Sequence, residues 1–388
     1  MKKQLLLGLI AFSLILSSSC KKKSQDEEEQ PDPFKLEYSN LSTEEQKQEI
    51  EKAGIDFIAK IDDLPEQKFI DVLAFLSSLN PELSDQSTLL ERILTMGANA
   101  KEENLNGIFK NTASVSSASL ISNRYGIYTW NSSIHNWDKT LSGNRLEIRF
   151  PSSDDKVANN ATLTFTYLPS SIKSDLGDGY ELPAYLSVVL KVDNVEELRL
   201  TSSYSYKDDC TPSKSDMILN LGIYAFRNVL RNDGILASSE WTISKKTEVL
   251  ISSKIESDGN TTLDNIGADE DIVKNANASL EIMNIKLLGE ADIKGLRADT
   301  SYKSEADSSL RNAKKAEIFN SHTRFIAINS TGNLIMGRNE FFPVSENGKN
   351  TVQARLIFKD DSKMNFEAFF KEGFQGFMDS MDEFVQKF

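Results

Sequence analysis

Cysteine and histidine are almost missing from this chain, with two of each in 388 residues. Two cysteines cannot build a disulfide scaffold or a thiolate zinc site, and His135 and His322 lie too far apart in sequence to form a ligand pair by local spacing. Basic charge is short as well: 44 Lys and Arg against 58 Asp and Glu leave a formal charge of −14. Nucleic-acid affinity comes mainly from cations on phosphates, so this balance argues against a nucleic-acid partner. The longest apolar run, Leu5 to Leu16, spans about twelve residues, whereas a membrane-crossing helix needs about 20. Gly-rich phosphate loops and nucleophile elbows are absent from the sequence. What remains, 39% hydrophobic and 26% charged, is the composition of an ordinary globular chain.

The short apolar run has a purpose at the N-terminus. Lys2 and Lys3 precede it, and Ser17-Ser18-Ser19-Cys20 closes it with small residues. That is the layout of an export signal. Small residues directly before a cysteine also resemble the bacterial lipoprotein processing site, in which the cysteine is acylated and becomes the new N-terminus. Ser17 stands where that pattern usually has Leu, with Leu16 one place further back. The resemblance implies residues 1–19 as signal peptide and Cys20 as the lipidated residue, carrying diacylglycerol and a fatty acid such as palmitate. An ordinary secretory signal would leave Cys20 incidental. Loss of Lys2 and Lys3 takes the formal charge to −16. Residues 20–40, opening with Lys21-Lys22-Lys23-Ser24-Gln25-Asp26-Glu27-Glu28-Glu29, hold too little apolar surface to fold and read as a disordered acidic tether.

Residues 41–115 read as helical. Ser42-Thr43-Glu44-Glu45 has capping-box spacing. Apolar residues then recur at three- and four-residue steps through Phe69, Ile70, Val72, Leu73 and Leu76, and again from Ser84 to Gly97. Between 120 and 362 the period becomes two and the turns carry Gly, Asn, Asp and Ser, so an antiparallel β-rich domain is expected. Within it, Ser257-Asp258-Gly259-Asn260 reads as a hairpin turn, Ile218 to Leu230 fits helix or strand, and the polar patch 297–318 reads as an exposed excursion, a short helix or a loop. Residues 363–388 repeat Phe and Met at helical steps with an acidic opposite face. An interfacial membrane helix wants a basic face, so this segment is expected to dock on the protein's own sheet. The fold class is α+β: short N-terminal helices, a large antiparallel sheet, flat or curved, and a Phe-rich C-terminal amphipathic helix packed on it.

Candidate chemistry is sparse, and the sequence gives no sign of an enzyme, a metal site or a cofactor. The pairs Asp154-Asp155, Asp208-Asp209 and Asp360-Asp361 read as solvated turns, since adjacent acids in a loop do not face each other across a cleft. Asp175 to Gly179 and Asp258 to Asp271 offer oxygens but miss the alternating ligand pattern of a calcium loop. Cys210 follows two aspartates, not the cationic setting that a reactive cysteine needs, so it reads as structural. His135 and His322 read as surface residues. Tyr128, Trp130 and Trp137 are the suggestive residues: one aromatic hairpin, able to serve as a sugar-binding platform or as sheet core.

The segment from Gly126 through Trp137 to Phe150-Pro151, then Asn159-Asn160-Ala161-Thr162-Leu163, and the ending Leu356-Ile357-Phe358-Lys359-Asp360-Asp361-Ser362-Lys363 resemble uncharacterised cell-surface lipoproteins of the Bacteroidota. The acidic stretch after Cys20 resembles their outer-membrane export signal. The resemblance implies an address, that of an outer-membrane lipoprotein, surface-exposed or periplasm-facing and held by its N-terminal acyl anchor, and it implies no activity and no site. The leading reading is a non-catalytic binding or structural role, with a glycan, protein or lipid as ligand. The alternatives are a carrier of an apolar ligand in a curved sheet closed by the C-terminal helix, and a hydrolase with an unrecognised acidic site.

Overall fold

A computed structural model describes residues 32–79, 125–143, 145–173, 181–259, 273–346, 349–371 and 373–387. Cys20, the signal segment and the helix expected from Ser84 to Gly97 lie outside these residues. Two helices come first, α1 (Thr43–Ile61) and α2 (Lys68–Ser78). Sixteen strands follow in a large, mostly antiparallel open sheet. They are β1 (Gly126–Asn131), β2 (Asn136–Thr140), β3 (Leu146–Phe150), β4 (Ala161–Lys173), β5 (Glu181–Val192), β6 (Val195–Tyr206), β7 (Pro212–Leu221) and β8 (Tyr224–Asn232). Then come β9 (Leu236–Lys245), β10 (Glu248–Gly259), β11 (Val273–Ile282), β12 (Ile285–Asp292), helices α3 (Ile293–Ala298) and α4 (Ser308–His322), β13 (Thr323–Asn329), β14 (Leu334–Glu346), β15 (Lys349–Ile357) and β16 (Lys363–Asn365). Helices α5 (Phe366–Lys371) and α6 (Gln375–Val385) end the chain. The α+β expectation holds at this level.

The sheet is a meander except at one end, where β1 pairs with β3 in parallel, Tyr128 opposite Ile148. An all-antiparallel sheet was the sequence expectation. A parallel pair normally needs a long crossover. Here the β2 hairpin supplies the return: the chain runs out along β1, back along β2, and continues as β3 on the far side of β1.

By contact density the chain divides into two units. The first contains Met1–Ile58, Arg231–Trp241 and Val249–Ser380. In it, β12 to β14 are covered on both faces. Ala327 and Ile285 face α1 through Ala53 and Ile50. Ile326, Ile328 and Ile335, on the opposite face by strand alternation, enclose Phe34. Double cover explains why Phe325 to Ile328 reads as an almost unbroken apolar run. The Phe34 side docks because the chain is tied there: Ser39 N–H donates to the Ile335 carbonyl and Ile335 N–H to the Glu37 carbonyl, both at 2.8 Å. Arg338 donates to the Phe34 carbonyl at 2.9 Å, and the Arg324 guanidinium lies 4.3 Å from the Phe34 ring centre. The tether expected over 20–40 is therefore corrected: from Pro33–Lys35, a 3-10 turn, onward the chain is docked.

The single helix expected over 363–388 is also corrected. Its first residues form β16, and Gly373, at φ +90°, breaks the remainder into α5 and α6. Phe369 is buried with Leu356 and Phe358, while Phe366, Phe370 and Phe374 pack around them. Gly54 of α1 matters here, because an added methyl would press into the Phe377 ring.

The second unit contains Ala59–Leu230, Thr242–Glu248 and Met381–Phe388. Its core is one sheet face, with Phe150, Leu163, Phe165, Val188, Leu190, Leu198 and Leu219 buried. Helix α2, which buries Leu73 and Leu76, lies against β6. The end of α1 is held here too. Tyr224, 1% exposed, donates its hydroxyl to the Lys60 carbonyl at 3.0 Å and lies against Asp63. The Lys245 ammonium reaches the same carbonyl at 2.9 Å and Asp63 at 2.8 Å. A cation at a helix C-terminus meets the negative end of the macrodipole. Burial and the Asp63 carboxylate push the Tyr224 hydroxyl pKa well up, so it stays a donor.

One sequence expectation inside the strands needs correction, and an open one resolves to strand. Asp258 and Gly259 are not a turn: β10 runs on through Gly259 and pairs with β11, Asp258 opposite Asn275. The Asp258 carboxylate accepts from Asn275 N–H at 2.6 Å and from its side chain at 2.9 Å. The ambiguous run Ile218 to Leu230 is two strands, split by a tight turn at Gly222, φ +59°, where a methyl would overlap Gln67 Oε1. The polar excursion 297–318 is largely helical, within α3 and α4.

Phe34→Ala is expected to cost about 3 kcal/mol in denaturant unfolding, the usual scale for an emptied aromatic site, and to raise amide exchange at Ser39 and Ile335. Glu340 gives a pH test. Burial disfavours its charge, but hydrogen bonds from Lys363 (3.0 Å) and Arg355 (2.6 Å) outweigh that and hold its carboxyl below the usual glutamate range. A depressed carboxyl stabilises the fold above its unfolded pKa, and the contribution disappears as pH falls through the folded value. Glu340→Gln should therefore cost up to about 1 kcal/mol at pH 7 and nothing at the acid limit, read as converging melting curves.

Candidate functional site

The three aromatic residues singled out from sequence do come together. Strand β1 pairs antiparallel with β2 so that Trp130 stands opposite Trp137 and Tyr128 opposite Lys139. Residues two apart share a face, so these four side chains form one block on one side of the ribbon. The indole rings are 5.2 Å apart between centres, edge to face at 64°. The Lys139 ammonium sits 4.9 Å from the Tyr128 ring centre. All three aromatic side chains are half-buried, and Lys139 is exposed.

Each ring is positioned by a polar bond or a neighbour. Trp137 donates its indole N–H to the Leu79 carbonyl at 3.2 Å, which ties the ribbon to the end of α2. Asn159 donates to the Trp130 carbonyl at 2.8 Å from the 151–160 loop. His135, in the turn at φ +51°, presents its ring edge-on to Trp130 at 6.2 Å. The opposite face of the ribbon is polar, with Asn131 donating to Asp138 at 3.1 Å. The hairpin is thus amphipathic in an unusual sense: rings and a cation on one side, amides and a carboxylate on the other. Sequence analysis missed Lys139, although the alternation of β2 was enough to put it beside Trp137.

The remaining polar candidates are structural. Asp209 accepts from Thr211 N–H at 2.9 Å and Asp360 from Ser362 N–H at 3.0 Å, each shaping its own turn. Cys210 lies in the first of these turns, at φ +66°. His322 differs from its surface reading: it ends α4 with Nδ1 3.0 Å from Asp292 Oδ2. Asp292 also caps α3, accepting the Gly295 N–H at 2.7 Å. That amide bond outweighs burial and, with His322, holds the Asp292 carboxyl below its usual range. The pair fastens the start of α3 to the end of α4. Among the described residues no three His, Cys, Asp or Glu side chains gather as a metal site, and no helix is long and apolar enough to cross a membrane.

Trp137→Phe keeps a ring but deletes the donor to Leu79, leaving that carbonyl without its indole partner. A loss of about 1 kcal/mol is expected in chemical unfolding, with Trp130 fluorescence altered as the ring pair shifts. Set against known proteins, the chain matches no family model, no curated protein and no solved structure.

Proposed function

We propose that this chain is an outer-membrane lipoprotein, acylated at Cys20, whose role is to bind a ligand at the β1–β2 hairpin without chemical turnover. The observation that carries the reading is the ribbon face on which Trp130, Trp137 and Tyr128 stand together, half-exposed, with Trp137 anchored through its own indole N–H to the Leu79 carbonyl. Large aromatic residues that keep exposed surface are the usual anchors of recognition, because they offer much area at small entropic cost. A further consideration is what surrounds them: the acidic pairs elsewhere shape turns, and His322 fastens two helices.

The N-terminal pattern supplies the address. Lys2-Lys3, the apolar stretch and Ser17-Ser18-Ser19-Cys20 fit export and acylation, and Lys21 to Lys23 would meet anionic headgroups beside the lipid. Phe34, docked in the first unit, comes fourteen residues after Cys20, so at most about 50 Å of chain separates the acylated residue from that docking point.

Cys20→Ser should abolish incorporation of labelled palmitate and release the protein from the membrane fraction; unchanged partitioning would end the lipoprotein reading. On a glycan array the purified chain should bind and the Trp130→Ala, Trp137→Ala double variant should not, with circular dichroism confirming that the variant is folded.

A further inference from the structure

The ligand-facing side of the hairpin carries a charge that runs against the rest of the molecule. In a chain of formal charge −14, the block Tyr128, Trp130, Trp137 and Lys139 contains one ammonium and no carboxylate. The nearest acid in sequence, Asp138, points to the opposite face and is engaged by Asn131. Among the described residues Lys139 forms no ion pair; its ammonium rests over the Tyr128 ring, 4.9 Å from the centre, and remains exposed. A cation held on a ring at an exposed site gains only about 0.5–1 kcal/mol from that contact, so it is available to an anion at little loss.

The rings constrain the rest of the ligand. Trp130 and Trp137 stand at the end of the β1–β2 hairpin, beyond the last pair of β1 with β3 (Thr129 with Arg149); they meet edge to face at 64° and both stay half-exposed. The negative face of an aromatic ring attracts weakly positive C–H groups, and the C–H face of a pyranose is the natural complement. A sugar ring on Trp130 or Trp137 with an acidic substituent directed along the ribbon would place that substituent toward Lys139, two residues from Trp137 on the same face.

We infer that the hairpin recognises an acidic saccharide, a glycan bearing a carboxylate or sulfate, with the indole rings holding the sugar and Lys139 pairing with the anion. The inference rests on the reading that this hairpin is the binding surface, and it adds the class of ligand. Nucleic acid, which would also offer rings and anions, is disfavoured because its affinity comes from several cations set on successive phosphates, and this face carries one. A neutral sugar would satisfy the rings and leave the ammonium unused.

The test uses the full purified chain and calorimetric titration with an oligogalacturonide and with its methyl-esterified, neutral form. The acidic oligomer should bind about tenfold tighter, an advantage that Lys139→Gln removes and that added salt weakens. Trp130→Ala should abolish binding of both forms; Trp130→Phe, which keeps a ring and the fold, should restore part of it. Equal affinity for the two forms, unaffected by Lys139→Gln, would overturn the acidic-ligand inference while leaving the hairpin as a sugar site. No binding of either form would overturn both. Equally tight binding of an acidic peptide, insensitive to Trp130→Ala, would show recognition of charge alone and would also overturn the inference.

Discussion

A strand with two apolar faces needs two covers, and an open sheet cannot provide both from its own strands. This constraint organises the first unit. Along β13 the residues Ile326 and Ile328 point one way and Ala327 the other, and all are buried. One cover is α1, brought in by Ile50 and Ala53. The other is a few residues of N-terminal chain fixed by Phe34. Small Ala327 on the helix side and large Ile326 and Ile328 on the strap side match the two covers: a helix approaches closely over small residues, while a thin strap needs side chains large enough to enclose a ring. Two backbone hydrogen bonds to Ile335 and two arginines stacked on Phe34 and Tyr38 then fix the strap in place.

The second unit meets the same demand with one face. Strands β3 to β7 bury Ile148, Phe150, Leu163, Phe165, Val188 and Leu190, and turn Arg149, Lys191 and Ser203 outward. Clean alternation of this kind is readable in sequence because a one-residue slip would move the whole apolar set into solvent. The helix boundary marked by Ser42 and Glu45 was equally legible, and the structure shows both halves of that box: Ser42 N–H reaches Glu45 Oε2 at 2.7 Å, and Glu45 N–H reaches Ser42 Oγ at 3.4 Å.

What sequence reasoning missed has physical causes. Periodicity needs several residues, so the brief alternation Phe34, Leu36, Tyr38 after an acidic stretch is too short to read, although these side chains complete a core. Turn propensity is a local preference, and tertiary pairing overrides it: Ser257-Asp258-Gly259 has turn residues, yet Asp258 finds better partners across the strand in Asn275. The converse occurs at Lys246 and Met283, which hold positive φ in tight turns without a turn signature. Neighbouring strands fix those positions, and the left-handed conformation costs each about 1–2 kcal/mol against a glycine. Gly373 lies inside the Phe-rich repeat, where a glycine alone does not mark a break; its φ of +90° makes it one.

The candidate site was legible as far as its rings and no further, and the reason bears on function. Aromatic residues at alternate positions look the same whether they serve as core or platform; burial decides, and burial depends on what lies opposite. For Phe369 the opposite surface is Leu356 and Phe358, and the ring disappears into the unit. For Trp130 it is a turn histidine and a second indole on a two-stranded ribbon, and the ring stays half-exposed. Lys139 follows the same logic. On a fully packed sheet a cation at that position would need a carboxylate, since burying an unpaired charge costs several kcal/mol. At the end of the strand order, on β2, it needs none. The strand that contributes least to the core is therefore the one free to carry rings and a cation on the same face.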